Sequence, residues 1–330
     1  MTAGPDARAP TRTAVIGVGY LGRFHAQKYA QLEHSKLVAV VDADAAAAAK
    51  VGAEWGVPAV ADYREILGQV DAVSLAVPTP LHHPIGRALL EQGIHVLVEK
   101  PISRTLEEAD RMIAAAERGK AVLQVGHLER FNPAMVALRP HVRNPVYFEI
   151  HRIGEFTARS LDIDVVLDLM IHDLDIVQWL VGEDVEVTSI HAVGIAILTD
   201  KVDAANARLE FSSGAVANIT ASRVGTEKIR KMRFFQPHDY VAIDYTTKHA
   251  SISSLAPPRA PGSWPVVHAN RLEIVDVEPL RAEIVSFFDT AQDRAPVAVS
   301  GSDGRNALSL ALRTLERIRQ HSDQLNVNHG

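Results

Sequence analysis

The sequence predicts an α/β protein. Its first half reads as a doubly wound parallel sheet, and its second half as a further α/β domain on a large, mostly antiparallel sheet. Three observations carry this. Glycines at Gly17, Gly19 and Gly22 form G-x-G-x-x-G where a short apolar run meets a helical pattern. From Thr13 to about Gly126 apolar runs alternate with helical patterns, as in a parallel sheet covered on both faces. Beyond Val146 the pattern changes to successive strand-like runs, and 330 residues exceed what one core usually supports. The expected division is a loose tail over 1–10, a dinucleotide-binding domain over 11–127 and a substrate and oligomerisation domain over 128–330.

In the first domain the candidate strands are Ala14–Ile16, Leu37–Val41, Ala72–Val77, His95–Val98 and Ala121–Val125. Helices are expected over Tyr20–Leu32, Ala43–Glu54, Tyr63–Leu67, His83–Gln92 and Leu106–Arg118. Gly93 and Gly119 stand where helix ends need a left-handed residue. Thr105 with Glu108 reads as a capping box. In the glycine motif the first residue permits a tight turn, the second lets backbone approach a pyrophosphate, and the third lets helix pack on strand. Tyr20 and Leu21 belong to the same phosphate-facing turn, at a helix N-terminus that favours anions. Asp42 ends the second strand twenty residues after Gly22. A carboxylate there accepts from both adenosine ribose hydroxyls and repels a 2′-phosphate, which favours NAD over NADP.

Ligands in such sheets sit at the carboxyl ends of strands. Two ends stand out, Pro78-Thr79-Pro80-Leu81-His82 and Glu99-Lys100-Pro101. Pro101 pushes Lys100 towards extended geometry. A lysine fixed there can donate to a substrate oxygen, although an ordinary strand–loop lysine reads the same way.

Composition narrows the class. Apolar residues are 47%, charged residues 22%, and 34 Lys plus Arg against 40 Asp plus Glu give a net charge of −6. No basic tract marks a nucleic-acid partner. The absence of cysteine excludes disulfides and thiolate chemistry and fits a reducing, cytoplasmic compartment. Residues 1–10 lack the apolar core of a signal peptide, and no run is long enough to span a membrane.

GVGYLG, Asp42, PTPLH and Glu99-Lys100-Pro101, in this order, resemble the Gfo/Idh/MocA oxidoreductases. The resemblance implies an N-terminal Rossmann domain, a C-terminal α/β domain on an open sheet, and NAD- or NADP-linked chemistry on sugar or cyclitol hydroxyls. It implies that Lys100 is the catalytic lysine and that Pro78, Thr79, His82 and Glu99 line the nicotinamide end. Val77 stands where many members have Thr.

The second half opens with QVGHLERFNP, residues 124–133, the expected domain crossing. Asn132-Pro133 reads as a helix N-cap followed by proline. His127, Arg130 and Asn132 are candidate substrate contacts. Arg130 suits an anionic or hydroxyl-rich ligand, or else an ion pair with Glu129 or another acid. Asp164 to Leu180 is apolar around most of a helical turn, with Gly182 as its expected C-cap. Asp164, Asp168, His172 and Asp175 fall on one stripe, which must face a partner or a cavity. Asp168 and His172, four apart, can pair so that the carboxylate fixes the imidazole. A satisfied buried histidine and a metal site are alternative readings of the stripe. The family pattern D-x-x-x-H-x-x-D, as Asp168, His172 and Asp175, implies the general base and no metal.

Strands are expected at Val146–His151, Val185–Leu198, Ala204–Phe211, Ala215–Ser222, Arg230–Phe235 and Tyr240–Tyr245, then a loop over Ser251–Ser263 and a last helix over about 304–321. The expected reaction is NAD-dependent oxidation of a sugar secondary alcohol. His172 accepts the proton, Asp168 orients it, and Lys100 stabilises the alkoxide. QVGHLERFNPA and DVVLDLMIHDLDIV further resemble the branch acting on the 3-hydroxyl of nucleotide-linked N-acetylhexosamines, UDP-N-acetylglucosamine among them. That branch hands its 3-keto product to an aminotransferase in amino-sugar or lipid A biosynthesis. Arg130, Arg152 and Arg223 are available for the substrate phosphates. A free-sugar or inositol dehydrogenase, a non-catalytic NAD(H) or sugar sensor, and redox-neutral glycoside cleavage are the competing readings. A homo-oligomer through the C-terminal sheet is expected.

Overall fold

The structure, a computed structural model, describes residues 9–157, 163–182, 184–256 and 264–328. Along the first half run β1 (Thr11–Ile16), α1 (Gly22–Gln31), β2 (Ser35–Val41), α2 (Ala45–Trp55), β3 (Ala59–Val60), β4 (Ala72–Leu75), α3 (His82–Glu91), β5 (His95–Glu99), α4 (Leu106–Gly119) and β6 (Leu123–Gly126). Then follow α5 (Pro133–Leu138), β7 (Tyr147–Glu155), α6 (Ile171–Val181), β8 (Val187–Ile195), β9 (Ala204–Phe211) and β10 (Val216–Gly225). The last elements are β11 (Ile229–Gln236), β12 (Asp239–Asp244), β13 (His249–Ala256), β14 (Val266–Arg271), α7 (Pro279–Ala291) and α8 (Gly301–Asn328). No helix among the described residues is long and apolar enough to cross a membrane.

The chain divides into two compact units. The first holds residues up to His127 together with Leu280–Arg305. Its six strands are all parallel, in the order β3-β2-β1-β4-β5-β6. β1 and β4 are buried on both faces, the signature of a sheet covered by helices above and below. The expectation that 128–330 forms one domain is corrected here. Leu280, Ile284 and Phe287 of α7 join the core built by Val15, Tyr29 and Val40, and Val125 takes a backbone bond from its amide to Val299 at 3.0 Å. These are contacts between residues far apart in sequence.

Other local expectations shift for physical reasons. Gly119 lies inside α4, and Lys120 takes the left-handed conformation (φ 53°). Gly119 is required by approach, since a Cβ there would overlap the carbonyl oxygen of Leu90. Thr105 caps α4 by accepting from the Glu108 amide at 3.2 Å, but the Glu108 carboxylate accepts from Arg104. Tyr63–Ile66 is a short 3-10 turn, too brief to be a helix.

The second unit holds Leu128–Pro279 and the chain from Asn306 onwards. Its eight strands run β14-β13-β12-β11-β7-β10-β9-β8, and only β7 and β10 are parallel. One face, with Phe148, Ile150, Ala217, Ile219 and Phe234, packs against α5, α6 and α8. Alternate residues on the other face stay at least partly exposed. The loop expected from Ser251 is strand up to Ala256, paired with β12 and β14. The rest of that expectation, 257–263, lies outside the described residues, as does most of the expected tail. The last helix is longer than expected at both ends.

Candidate active site

In the first unit the glycine turn joins β1 to α1. Gly17 has φ +84°, and a Cβ there would stand 2.5 Å from the Ala76 carbonyl oxygen. A Cβ on Gly22 would overlap the carbonyl oxygen of Gly17, so this glycine lets α1 close on the turn. Gly19 differs: among the described residues, its own chain neighbours aside, no atom lies within 4 Å of its Cβ position. No described residue beyond its chain neighbours requires a glycine there, whereas close approach of this backbone to a pyrophosphate would. Asp42, at the end of β2, accepts from the amides of Val18 (2.8 Å) and Asp44 (2.9 Å), which fixes its carboxylate. A cavity of about 300 Å³ is lined by Gly17, Gly19, Asp42, Asp62, Val77 and Pro78. Tyr20 and Leu21 are exposed on the same turn. These residues fit a dinucleotide whose ribose meets Asp42. Asp62 was not legible in advance, because its local role is to cap the 3-10 turn through the Arg64 amide at 2.9 Å.

At the ends of β4 and β5 two of the expected residues have partners inside the protein. His82 is 1% exposed. Its Nε2 meets the Val77 carbonyl at 2.8 Å and its Nδ1 the Pro101 carbonyl at 2.9 Å. It therefore clips the two strand-end loops together and does not present a face to a ligand. Burial holds its imidazole below the usual histidine range, while the two carbonyls act in the opposite sense. Glu99 faces inward, its carboxylate 3.1 Å from Nε2 of His25. His25 Nδ1 lies 2.9 Å from Ser74 Oγ, which bonds the Tyr29 hydroxyl at 2.9 Å. Burial works against the Glu99 charge, but His25 and Lys100 outweigh it and hold the carboxyl below its usual range. Lys100 itself is half-buried, before a cis Lys100–Pro101 bond, with half-buried Thr79 and exposed Pro78 on the neighbouring loop. His127 is buried at the end of β6.

In the second unit the expected single helix has two parts. Val166–Met170 is a π-helical turn, with the Ile171 amide donating to the Val166 carbonyl, and α6 follows. The extra residue in that turn breaks the expected stripe. π-turns inside helices are frequent at functional sites. Asp168 lies in this turn and His172 one residue into α6, and both are half-buried. Asp175 instead points into the protein. It receives Nε and Nη2 of Arg130 at 2.9 and 2.7 Å, with the side chains 1% and 5% exposed. Asp173, not singled out from the sequence, receives Nε and Nη2 of Arg152 at 2.7 and 2.8 Å. Arg152 Nη1 also donates to Glu129 at 2.7 Å. Two carboxylates hold the Arg152 guanidinium charged in spite of its burial.

Arg130 and Arg152, expected as substrate donors, are thus each engaged by buried acids. Asn132 is likewise committed. Its Oδ1 accepts from the Ala134 amide at 3.1 Å, as an N-cap, and its Nδ2 donates to the Tyr245 carbonyl at 3.2 Å. Arg223 donates to the carbonyls of Ile163 and Val202.

Residues 11–127 match the family described as "Oxidoreductase family, NAD-binding Rossmann fold", and residues 106–235 match the "GFO/IDH/MocA C-terminal domain". A UDP-N-acetylglucosamine 3-dehydrogenase of Acidithiobacillus ferrooxidans is 42% identical over 306 residues, covering 92% of this chain and 95% of that one. The chain belongs to the Gfo/Idh/MocA oxidoreductase family.

The crystal structure of that Acidithiobacillus protein superposes with a TM-score of 0.86 at 39% identity, over 93% of this chain and 97% of that one. An inositol 2-dehydrogenase of Rhizobium meliloti is 28% identical over 331 residues, 94% of this chain and 98% of the relative. As a Gfo/Idh/MocA enzyme the chain is an oxidoreductase that uses NAD, which agrees with the open Gly19 side of the turn and with Asp42. The features missed from this member's sequence are the π-turn, the pairing of Asp173, and His25. His25 carried one usable signal, its place three residues beyond the last glycine of the motif.

Proposed function

We propose that this enzyme oxidises the 3-hydroxyl of UDP-N-acetylglucosamine, or of a related UDP-N-acetylhexosamine, to the 3-keto sugar. The observation that supports the chemistry is the half-buried pair of Asp168, within the π-turn, and His172, just after it, in one chain with a dinucleotide cradle. The likeness to the Acidithiobacillus dehydrogenase over nearly its whole length supports the substrate. NAD, when bound, supplies the acceptor for the hydride that leaves the carbinol carbon. His172 takes the hydroxyl proton and Asp168 keeps the imidazole oriented and basic. Lys100 donates to the developing alkoxide. The products are the ketone, NADH and one proton, so charge and electrons balance. In this reading the cofactor lies along Gly17, Gly19, Tyr20, Leu21 and Gly22, with Asp42 on the ribose and Pro78 and Thr79 beyond it. The ketone passes to an aminotransferase in amino-sugar synthesis for lipopolysaccharide. The enzyme works in the cytoplasm as a homo-oligomer through the outer face of its eight-stranded sheet.

The test is NADH absorbance with protein, NAD and UDP-N-acetylglucosamine, with an aminotransferase to draw off ketone. Lys100→Ala and His172→Ala should each lower turnover by about 10²- to 10⁴-fold while NADH binding persists. Signal with inositols or free hexoses alone would remove the nucleotide-sugar claim. Tight NADH binding with no turnover on any sugar would favour a sensor.

A further inference from the structure

Arg230, the second residue of β11, lies directly opposite Arg152 on β7. It shares the inward-facing parity of Met232 and Phe234, both fully buried, so it lies on the helix-covered side of the sheet. Two guanidiniums facing each other across strands repel unless each is neutralised. Arg152 is neutralised by Asp173 and Glu129. Arg230 has only Glu129 at 3.9 Å, on the same oxygen that Arg152 already occupies at 2.7 Å. Among the described residues its guanidinium makes no hydrogen bond, and its side chain is 39% exposed.

Charge alone does not mark this residue, because Arg152, Arg230, Glu129 and Asp173 sum to zero. Its unused donors do. A guanidinium carries five N–H groups in a planar fork suited to phosphate or carboxylate. Holding it partly out of water with none of them used is unfavourable unless a ligand completes them. Burial and the facing Arg152 lower the Arg230 pKa from its ordinary value, and the carboxylates of Glu129, Asp173 and Asp168 act in the opposite sense without cancelling that.

We infer that Arg230 is a specificity-determining residue that binds the diphosphate of the nucleotide-sugar substrate on the inward face of the eight-stranded sheet. This rests on the function proposed above, and it gives the phosphates a different partner from Arg130 and Arg152. Those two arginines keep the helix in place, while Arg230 offers free donors on the same face.

The experiment uses the full chain. UDP is titrated calorimetrically in the presence of NADH, and kinetics are measured with UDP-N-acetylglucosamine. Arg230→Met, which keeps the apolar stem, should weaken UDP binding by about 10- to 100-fold, the size expected for losing hydrogen bonds to a charged group. KM for UDP-N-acetylglucosamine should rise by more than kcat falls, as for binding shared by ground and transition states. Arg230→Lys should recover part of the loss, since a point charge replaces the fork. NADH binding and thermal midpoint report whether the fold survives. Lys231→Met, the same change of charge on the adjacent exposed residue, should leave UDP affinity unaltered.

If Arg230→Met binds UDP as tightly as the wild type, the inference falls even where UDP-N-acetylglucosamine is turned over. Loss of thermal stability with UDP affinity retained would make Arg230 a counter-ion of Glu129 and overturn it too. A wild type that oxidises inositol and binds no UDP would overturn both this inference and the proposed substrate.

Discussion

Asp203→Asn should destabilise the second unit by about 2.5–3 kcal/mol at pH 7. Asp203 is fully buried. Its Oδ2 accepts from the amides of Ile197 (2.7 Å), Leu198 (2.6 Å) and Thr199 (2.9 Å), and its Oδ1 faces the Thr199 hydroxyl (3.0 Å) and Arg223 Nε (3.4 Å). Burial opposes the charge, but these donors outweigh it and hold the carboxyl at about 2, against an ordinary 3.8. At 1.36 kcal/mol per pH unit that difference is worth at most about 2.4 kcal/mol. Ile197 and Leu198 are exposed, so solvent screening lowers this to about 1.5–2 kcal/mol. The Asn amide also turns an N–H₂ towards donors, which adds about 1 kcal/mol. The loop matters to the site because Val202 accepts from the Val165 amide at 2.8 Å and donates to Asp164 at 2.9 Å, at the entry to the π-turn. The assay is urea unfolding at several pH values, with turnover measured alongside. The folded-state value is depressed, so this stabilisation is complete above 3.8 and is lost as pH falls through about 2. The gap between wild type and variant should therefore be constant from pH 7 to about 4 and close below it. A gap under 0.5 kcal/mol at pH 7 would refute the reasoning, as would one that closes already by pH 5.

Two further outcomes separate local causes. Gly22→Ala should prevent folding of the first unit, because its Cβ meets the Gly17 carbonyl oxygen, whereas Gly19→Ala should fold normally and lose NADH affinity. Circular dichroism and NADH fluorescence on the pair check this, and equal stability losses would remove the ligand reading of Gly19. His82 makes stability fall on acidification. Its folded-state pKa is depressed by burial, so its contribution is complete above the unfolded value of about 6.5 and declines as pH drops towards the folded one. The slope is at most about 1.4 kcal/mol per pH unit, and His82→Gln should remove it. Identical urea midpoint shifts between pH 7.5 and 5.5 in both proteins would contradict this.

The parallel half of the fold was legible because its signals are local. Gly17, Gly22 and Gly93 mark turns and close approaches, and Asp42 follows an apolar run that can only be strand. What failed was long-range or compositional. α7 joins the first unit through Ile284 and Phe287, more than two hundred residues from Val15, Tyr29 and Val40 in the core they fill. The serines of β13 lack an apolar rhythm, so its sequence from Ser251 reads as loop, yet the strand has partners on both sides. In the site, composition named Arg130 and Arg152 as available cations but could not choose their partners. The acid nearest to Arg130 in sequence, Glu129, is bound by Arg152, and Arg130 turns to Asp175.

The helix around His172 shows why a sequence stripe misleads here. A helix this apolar is buried, and each acid on it needs a cation or a route to water. Asp173 and Asp175, in the regular part, take the cations: Arg152 and Arg130 reach them in paired bonds of 2.7–2.9 Å. Such buried pairs add little net stability, but removing one partner typically costs about 3–5 kcal/mol, so they fix where α6 lies. Asp168, within the π-turn, and His172, just after it, take the second solution, remaining half-buried. The residue inserted by that turn changes the angular relation between Asp168 and Asp175. It divides one polar stripe into an anchored end and an accessible end. An ideal helix would have aimed Asp168, His172 and Asp175 in one direction, and Asp175, which holds Arg130, would then have competed with the pair proposed to move the proton.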